Sequence, residues 1–298
     1  MGASNENDPS RARIVIQGVR GAFHEVAARL YFGEQTELIP ALSFSELFEK
    51  ASDPAVADAA IVAIENSIAG SILGNYRLLL ESGLAVEGEV YLPIRQNLLA
   101  LPGVTIDDLC EVHSHPMALA QCSAFFKKYP HIRLVESSDT AESAAAIARE
   151  QNRRAGAVAS SLAAELYGLS VLAPSIETFP QNATRFLVVR RKSEIRPPDG
   201  ADKVSITFTL QHTSGSLANV LQMLAAHGAN LTKIQSVPLP ERPWEYHFIV
   251  DFKAEPGRTE AIVSDLYART LALQVLGVYR GAEAAQRNSI TDASAHIL

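Results

Sequence analysis

The sequence predicts an α/β protein, two α/β lobes followed by a smaller unit with its own strand and helix order. Three observations carry that expectation. Over roughly the first 190 residues, short apolar runs alternate with helical patterns, the grammar of stacked strand–helix units. The charged stretch Arg190–Asp202, with Pro197-Pro198-Asp199-Gly200, then breaks the pattern and reads as a linker. Beyond it the order strand, helix, strand, strand, helix, strand is that of a ferredoxin-like βαββαβ sandwich.

Arg13–Gly18 is an apolar strand that runs into a turn and a helix at G-V-R-G-A-F-H-E-V-A-A. Gly18 and Gly21 form neither G-x-G-x-x-G nor G-x-x-x-x-G-K-[ST], so dinucleotide and P-loop readings fail. A helix start still offers free amides to an anion. Thr36–Ala41 is a weaker strand and Phe44–Ala51 a helix. Asp58–Asn66 is a strongly apolar strand ending in Ile64-Glu65-Asn66-Ser67, polar residues where open α/β sheets place ligands. Asn-Ser is equally a helix-entry pair, and the following I-A-G-S-I-L-G-N-Y-R-L-L-L turns from loop into helix.

Glu87–Leu101 is extended, with Pro93 marking a bend or an edge. Glu111–His115 ends a strand, Pro116 suits the first helical position, and that helix runs to about Tyr129. His115 therefore stands at a helix start, with Gln121 further along. After the strand Ile132–Glu136, Asp139-Thr140-Ala141-Glu142 reads as a capping box opening an alanine-rich helix. Ala155–Ser160 and Leu169–Ala173 flank the short helix Ser161–Tyr167, and Thr184–Val189 is a last apolar strand. The alternation implies largely parallel sheets. Crossings near Tyr91 and Phe179 divide the unit 12–191 into lobe one (about 12–91 and 180–191) and lobe two (about 92–179), with a cleft between them.

After the linker, 192–202, the unit 203–281 contains the strand Val204–Leu210 and the helix Ser216–His227. That helix carries Leu217, Val220, Leu221 and Leu224 at i, i+3, i+4 and i+7. Asn230–Val237 and Trp244–Phe252 form a hairpin bridged by P-L-P-E-R-P, then come the helix Arg258–Ala268 and the strand Leu273–Tyr279. The last stretch, 282–298, has no strong periodicity and is expected to be a mobile tail.

Composition narrows the function. The 298 residues are 47% hydrophobic and 20% charged, with a net charge of -7. That balance gives no basic footprint for nucleic acid or an anionic membrane surface. No apolar run approaches the roughly 18–20 residues of a membrane-spanning helix. The polar start M-G-A-S-N-E-N-D-P-S has no signal core, and Cys110 and Cys122 form no disulfide framework, so a cytoplasmic location is expected. His113-Ser114-His115 with Cys110 matches no zinc spacing, and the serine of Gly70-Ser71-Ile72-Leu73-Gly74 is one position early for a nucleophile elbow. No metal and no organic cofactor are expected.

The densest chemistry lies in I-E-T-F-P-Q-N-A-T-R-F-L-V-V, Ile176–Val189. Asn182, Thr184 and Arg185 bring a carboxamide, a hydroxyl and a guanidinium together where a loop enters a strand, a combination that suits a small multiply charged anion. With Asn66, Ser67, His115, Gln121 and Thr140 they make a polar, mostly uncharged set that polarises an anion rather than building a covalent intermediate. Arg185 either grips a carboxylate or, as a strand residue, turns away into a structural ion pair. His115 is either a helix cap or a participant.

The N-x-T-R-F spacing at Asn182–Phe186 and the E-N-S…G segment at Glu65–Gly70 resemble the motifs of prephenate dehydratases. Gly215–Ala218 (G-S-L-A) and Ile234–Pro238 (I-Q-S-V-P) resemble an ACT regulatory domain, and the resemblance spans about residues 13–281. It implies a bilobed catalytic domain similar to periplasmic binding proteins and conversion of prephenate to phenylpyruvate for phenylalanine synthesis. It also implies a homodimer or homotetramer and feedback inhibition by L-phenylalanine. In that reaction carbon dioxide and the ring hydroxyl leave together, with Thr184 as donor to the hydroxyl. The effector site implied is the strand–turn–helix at His212, Gly215, Ser216, Leu217 and Ala218. Asn230, Leu231, Gln235 and Ser236 of a neighbouring chain complete it.

Some residues depart from the family pattern. Ala22 and His24 replace small hydroxyl residues, Thr178 an aspartate, Ala63 a proline, and Gln235-Ser236-Val237-Pro238 the usual E-S-R-P. Arogenate dehydratase and a non-catalytic amino-acid sensor are the alternative readings.

Overall fold

The computed structural model describes residues 11–282, apart from 240 and 241. The chain opens with β1 (Arg13–Gln17), α1 (Phe23–Phe32), β2 (Glu37–Ala41), α2 (Phe44–Ser52) and β3 (Ala59–Asn66). Ser43 caps α2 by accepting from the Glu46 amide. A tight turn through the two-residue β4 (Gly70–Ser71) leads into α3 (Leu73–Glu81) and then β5 (Leu84–Pro93). β5 carries the chain out of this lobe.

The second lobe comprises β6 (Asn97–Ala100), β7 (Glu111–Ser114), α4 (Pro116–Gln121), α5 (Ser123–Phe126), β8 (Arg133–Glu136), α6 (Thr140–Glu150), β9 (Ala155–Ala159), α7 (Ser161–Tyr167) and β10 (Ser170–Ala173). The single helix expected from Pro116 to about Tyr129 is two, broken at Cys122, which sits at φ -99° and ψ 10° and is fully buried in the core of this lobe. The expected capping box is half formed. Asp139 accepts from the amides of Ala141 and Glu142 at 2.8 and 2.9 Å, while Glu142 faces Arg149 instead of reaching back.

β11 (Ala183–Arg191) brings the chain home. The first sheet is ordered β2-β1-β3-β11-β5 and the second β10-β6-β9-β7-β8. Both are mixed, which corrects the expectation of largely parallel sheets. β1, β2 and β3 are parallel, as are β7, β8 and β9. β11 is antiparallel to β3 and β5, and β6 is antiparallel to β9 and β10. The cause is topological: the strands on which the chain leaves and re-enters a lobe lie side by side, and so oppose each other.

Both faces of the first sheet are apolar. Ile14 and Ile16 point to one side, where Ala27 and Ala28 of α1 cover them, and Val15 points to the other. That other side receives the third unit, made of β12 (Lys203–Thr209), α8 (Ser216–Ala226), β13 (Asn230–Leu239), β14 (Arg242–Lys253), α9 (Thr259–Arg269) and β15 (Ala272–Tyr279). Its strands form an antiparallel sheet in the order β13-β14-β12-β15. α8 and α9 bury Val220, Leu224, Ile262 and Leu266 on one face of it. Ile249, Leu276 and Tyr279 on the opposite face join the core of lobe one. Gly277 makes this approach possible, because a Cβ at that position would overlap the carbonyl oxygen of Val86 in β5. The expected tail from 283 onward and the hairpin tip at 240–241 lie outside the described residues.

Candidate active site

The strand register sorts the functional candidates. Thr184 of β11 lies opposite Asn66 of β3, and Arg185 lies opposite Glu65. Side chains alternate along a strand, so one pair faces the cleft and the other faces the third sheet. Asn66 and Thr184 line a cavity of about 390 Å³ between the lobes, together with His115, Gln121 and Thr140 of lobe two. Phe44, Ile94 and Phe186 supply apolar wall. The volume falls within the roughly 300–1,000 Å³ of small-molecule sites.

A chain of carboxamides fixes the polar wall, and the backbone sets its direction. Asn66 Oδ1 accepts from the amides of Ile68 and Ala69 at 3.0 and 2.9 Å, which decides which end of this carboxamide is oxygen. Its Nδ2 must then donate, and its two hydrogens are shared among Asn182 Oδ1 at 2.8 Å and both Ala183 O and Thr184 Oγ1 at 3.1 Å. Asn182, fully buried, passes the order on by donating to Gln121 Oε1 at 2.9 Å. Thr184 Oγ1 is thus an acceptor toward Asn66, and its one hydrogen is left to point elsewhere.

The remaining candidates divide. Ser67 does not line the cavity. Its hydroxyl donates to Gln181 O at 3.1 Å and accepts from the Ala183 amide at 3.0 Å, fastening the loop to the start of β11. His115 is both cap and lining residue: Nδ1 accepts from the Met117 amide at 3.2 Å, which in the neutral ring puts the proton on Nε2. Thr140 lines the cavity as the first residue of α6.

Arg185 does not reach the cavity, and its role as a carboxylate clamp is corrected. It is 4% exposed on the opposite face of β11, with Nε on Glu89 at 2.8 Å, Nη1 on Asp251 and Nη2 on the Tyr279 hydroxyl at 3.1 Å. Burial opposes its charge, but the neighbouring Asp251 and Glu89 carboxylates outweigh that and hold the guanidinium pKa well above its ordinary value.

No lysine or arginine lines the cavity among the described residues. Ala22, Ile72, His115 and Asp139, the N-cap residues of α1, α3, α4 and α6, all do. Four helix starts therefore turn toward one space; the Asp139 carboxylate already takes the amides at the start of α6, and the other three favour an anion without a fixed cation.

Sequence reasoning missed several lining residues. His24 sits between the rings of Phe44 and Phe186, at centroid distances of 5.7 and 5.0 Å, and burial lowers its pKa to about 3, so it is neutral. Asp139 lines the cavity beside its capping role, and burial raises its pKa. Gln96 is 3% exposed and donates to Gln121 Oε1 at 3.3 Å. Its signal was the polar run Arg95-Gln96-Asn97 between Leu92-Pro93-Ile94 and Leu98-Leu99.

A second hollow of about 350 Å³ lies in the third unit, lined by His212, Ser216 and Leu217 with Tyr246 and Phe248. Gly215 caps the start of α8 beside it, and Ala218 is not part of its lining. Asn230, Leu231, Gln235 and Ser236 lie on β13, the outer strand of that sheet, and do not line this hollow within one chain.

A family model described as prephenate dehydratase matches residues 14–194. The Arabidopsis thaliana protein named arogenate dehydratase/prephenate dehydratase 2, chloroplastic, is 41% identical over 281 residues, covering 91% of this chain and 73% of its own. Among solved structures, a prephenate dehydratase from Arthrobacter aurescens in complex with L-Phe superposes with a TM-score of 0.81 at 28% identity, covering 92% of this chain and 91% of that one. A structure described as GqqA, a novel type of quorum quenching acylase, gives a TM-score of 0.82 at 30% identity, covering 92% and 99%.

Proposed function

We propose, from the premise that this chain belongs to the prephenate dehydratase family, that the cavity between its lobes converts prephenate to phenylpyruvate. The observation that carries this reading is the free hydrogen of Thr184, left over once Asn66 has occupied its oxygen at 3.1 Å. As the ring carboxylate departs as carbon dioxide, its bonding electrons move into the ring, and the bond to the ring hydroxyl breaks. The departing oxygen needs a donor, and Thr184 supplies one whose acidity the Asn66 amide increases. The ring becomes aromatic, and the leaving hydroxide, hydrogen-bonded by Thr184, becomes water with one proton drawn from solvent, so that Thr184 ends as the neutral hydroxyl. His115 Nε2 and the starts of α1 and α3 suit the substrate's carboxylates. Asn182, Gln121 and Ser67 act by holding Asn66 and the start of β11 in place.

Arogenate, with an amino group for the keto group, is the second reading, favoured by the name of the Arabidopsis relative. An acylase reading is poorly supported. Among the described residues no imidazole, carboxylate or amine is hydrogen-bonded to Thr184, and a hydroxyl nucleophile is activated by such a base.

The same reading assigns 12–191 to the catalytic unit and 203–281 to an ACT domain. The support is its β–α–β–β–α–β order and its strand sequence β13-β14-β12-β15. L-Phenylalanine then binds in the hollow beside His212, Ser216 and Leu217, completed by β13 of a second chain in a homodimer or homotetramer. Incubation of the purified protein with prephenate, followed by the absorbance of phenylpyruvate in base, tests the enzyme reading. Arogenate in parallel tests substrate choice. Product well above the spontaneous rate is expected, and none from either substrate rejects the reading.

A further inference from the structure

Where the third sheet lies on lobe one, Glu65, Arg185 and Glu89 meet Lys233, Asp251 and Lys203, and two of the six, Glu65 and Arg185, are sequence neighbours of cavity residues. Glu65 precedes Asn66 and Arg185 follows Thr184. Glu65 and Arg185 are cross-strand partners, 3.9 Å apart at their charged ends. Facing them, Lys233 of β13 and Asp251 of β14 are also cross-strand partners. Lys233 Nζ is 2.9 Å from Glu65, and Asp251 pairs with Arg185. Two ion pairs of opposite polarity are thus stacked sheet against sheet, and a slip of one residue in either register would break both.

Lys233 does more than neutralise Glu65. Its Nζ also donates to Ser71 Oγ at 2.6 Å, and Ser71 is the register partner of Glu65 across the turn between β3 and β4. One ammonium therefore holds both ends of the 65–71 turn. That turn contains the Ile68 and Ala69 amides that orient the Asn66 carboxamide. The Asp251–Arg185 pair is 2% and 4% exposed and little screened by solvent, whereas in the Lys233–Glu65 pair the lysine is 6% exposed and the glutamate 34%, so that contact is partly screened.

We propose that Lys233 and Asp251 are positioning residues for the reaction, through which the third sheet sets Asn66 and Thr184 by gripping Glu65 and Arg185. This rests on the reading of the cavity as the reaction site. Neither residue touches the cavity, so the effect falls on turnover rather than on substrate binding. A misplacement of about 1 Å at a catalytic group lowers rates by up to about a hundredfold. Loosening only one end of the turn should fall below that limit.

The test compares Lys233→Met, Lys233→Arg, Glu65→Gln and the Glu65→Gln/Lys233→Met double variant in the full chain. Lys233→Met is expected to lower kcat about tenfold with KM within about twofold, a loss of the size a partial misplacement gives. Lys233→Arg restores most of kcat, and the double variant is no worse than the poorer single one. Glu65→Gln keeps the proposal testable should Lys233→Met not fold, because it removes the same contact from the more exposed side with an isosteric group, and it too must lower kcat. Unchanged kcat in the folded variants, with only a lower melting temperature, makes the cluster plain adhesive and overturns the proposal. Additive losses in the double variant overturn it as well. Wild-type protein inactive on both prephenate and arogenate removes the premise and this inference with it, whereas active wild type with indifferent variants removes this inference alone.

Discussion

A threonine hydroxyl has one hydrogen to give and two lone pairs to offer, and at Thr184 the neighbouring carboxamide has already taken a lone pair. Replacing Thr184 by Ala should lower kcat by about 10²–10³, the usual loss for one preorganised donor. Circular dichroism and the melting temperature should stay near wild type, and Thr184→Ser should recover part of the rate. The neutral His24 gives a second prediction, on stability. Its pKa is depressed from 6.5 to about 3 in the folded protein, so only the unfolded chain takes up a proton between those values. The stability it contributes is complete above pH 6.5 and is lost as pH falls toward 3, by up to about 1.4 kcal/mol per pH unit. Urea unfolding at pH 7 and pH 5 should show a smaller drop for His24→Phe than for wild type; equal drops would put the cause in another group. Thr184, Asn66 and Asn182 were legible because a strand entrance crowded with donors is uncommon in an apolar context. Arg185 was not, since alternation says that it opposes Thr184 without saying which face is the cleft.

At the scale of elements, most strands and helices were read from periodicity to within a few residues; the helix that breaks at Cys122, the short β4 and the pairing directions were not. β11 looks in sequence like any other buried strand, and only its return from lobe two makes it antiparallel to β3 and β5. Gly21 shows the same limit. In sequence it belonged to a failed nucleotide loop, whereas in the fold it is a joint between lobes. Ser160 Oγ of lobe two donates to the Gly21 carbonyl at 2.6 Å. A Cβ on Gly21 would stand 2.9 Å from Ala163 Cα, and its φ of +87° already excludes most side chains. The two partners are distant in sequence, so no local pattern could announce the contact. Gly21→Ala should cost about 1–3 kcal/mol of stability and raise KM more than it lowers kcat, because it props the lobes apart. Steady-state kinetics with KM unchanged would mean that the lobes do not set the cavity's fit.

For the whole molecule, three sheets form one object in which the third unit completes the core of lobe one through Ile249, Leu276 and Tyr279. Calorimetry on the full chain should show L-phenylalanine binding, and the same concentrations should slow turnover, since an effector shifts a state only by binding it better. Binding without inhibition would leave the third unit a dimerisation module. No group of three metal-ligating side chains occurs among the described residues, and dialysis against a chelator should leave turnover unchanged. A loss restored by one divalent ion would contradict that expectation. The central claim is that the cavity between the lobes is where the reaction occurs, and the most direct measurement is a crystal structure of this protein with phenylpyruvate bound. Product density is expected between β3, β11 and the starts of α4 and α6, within hydrogen-bond reach of the Asn66–Thr184 pair. Density confined to the hollow beside His212, or lying against Arg185 on the other face of β11, would contradict it.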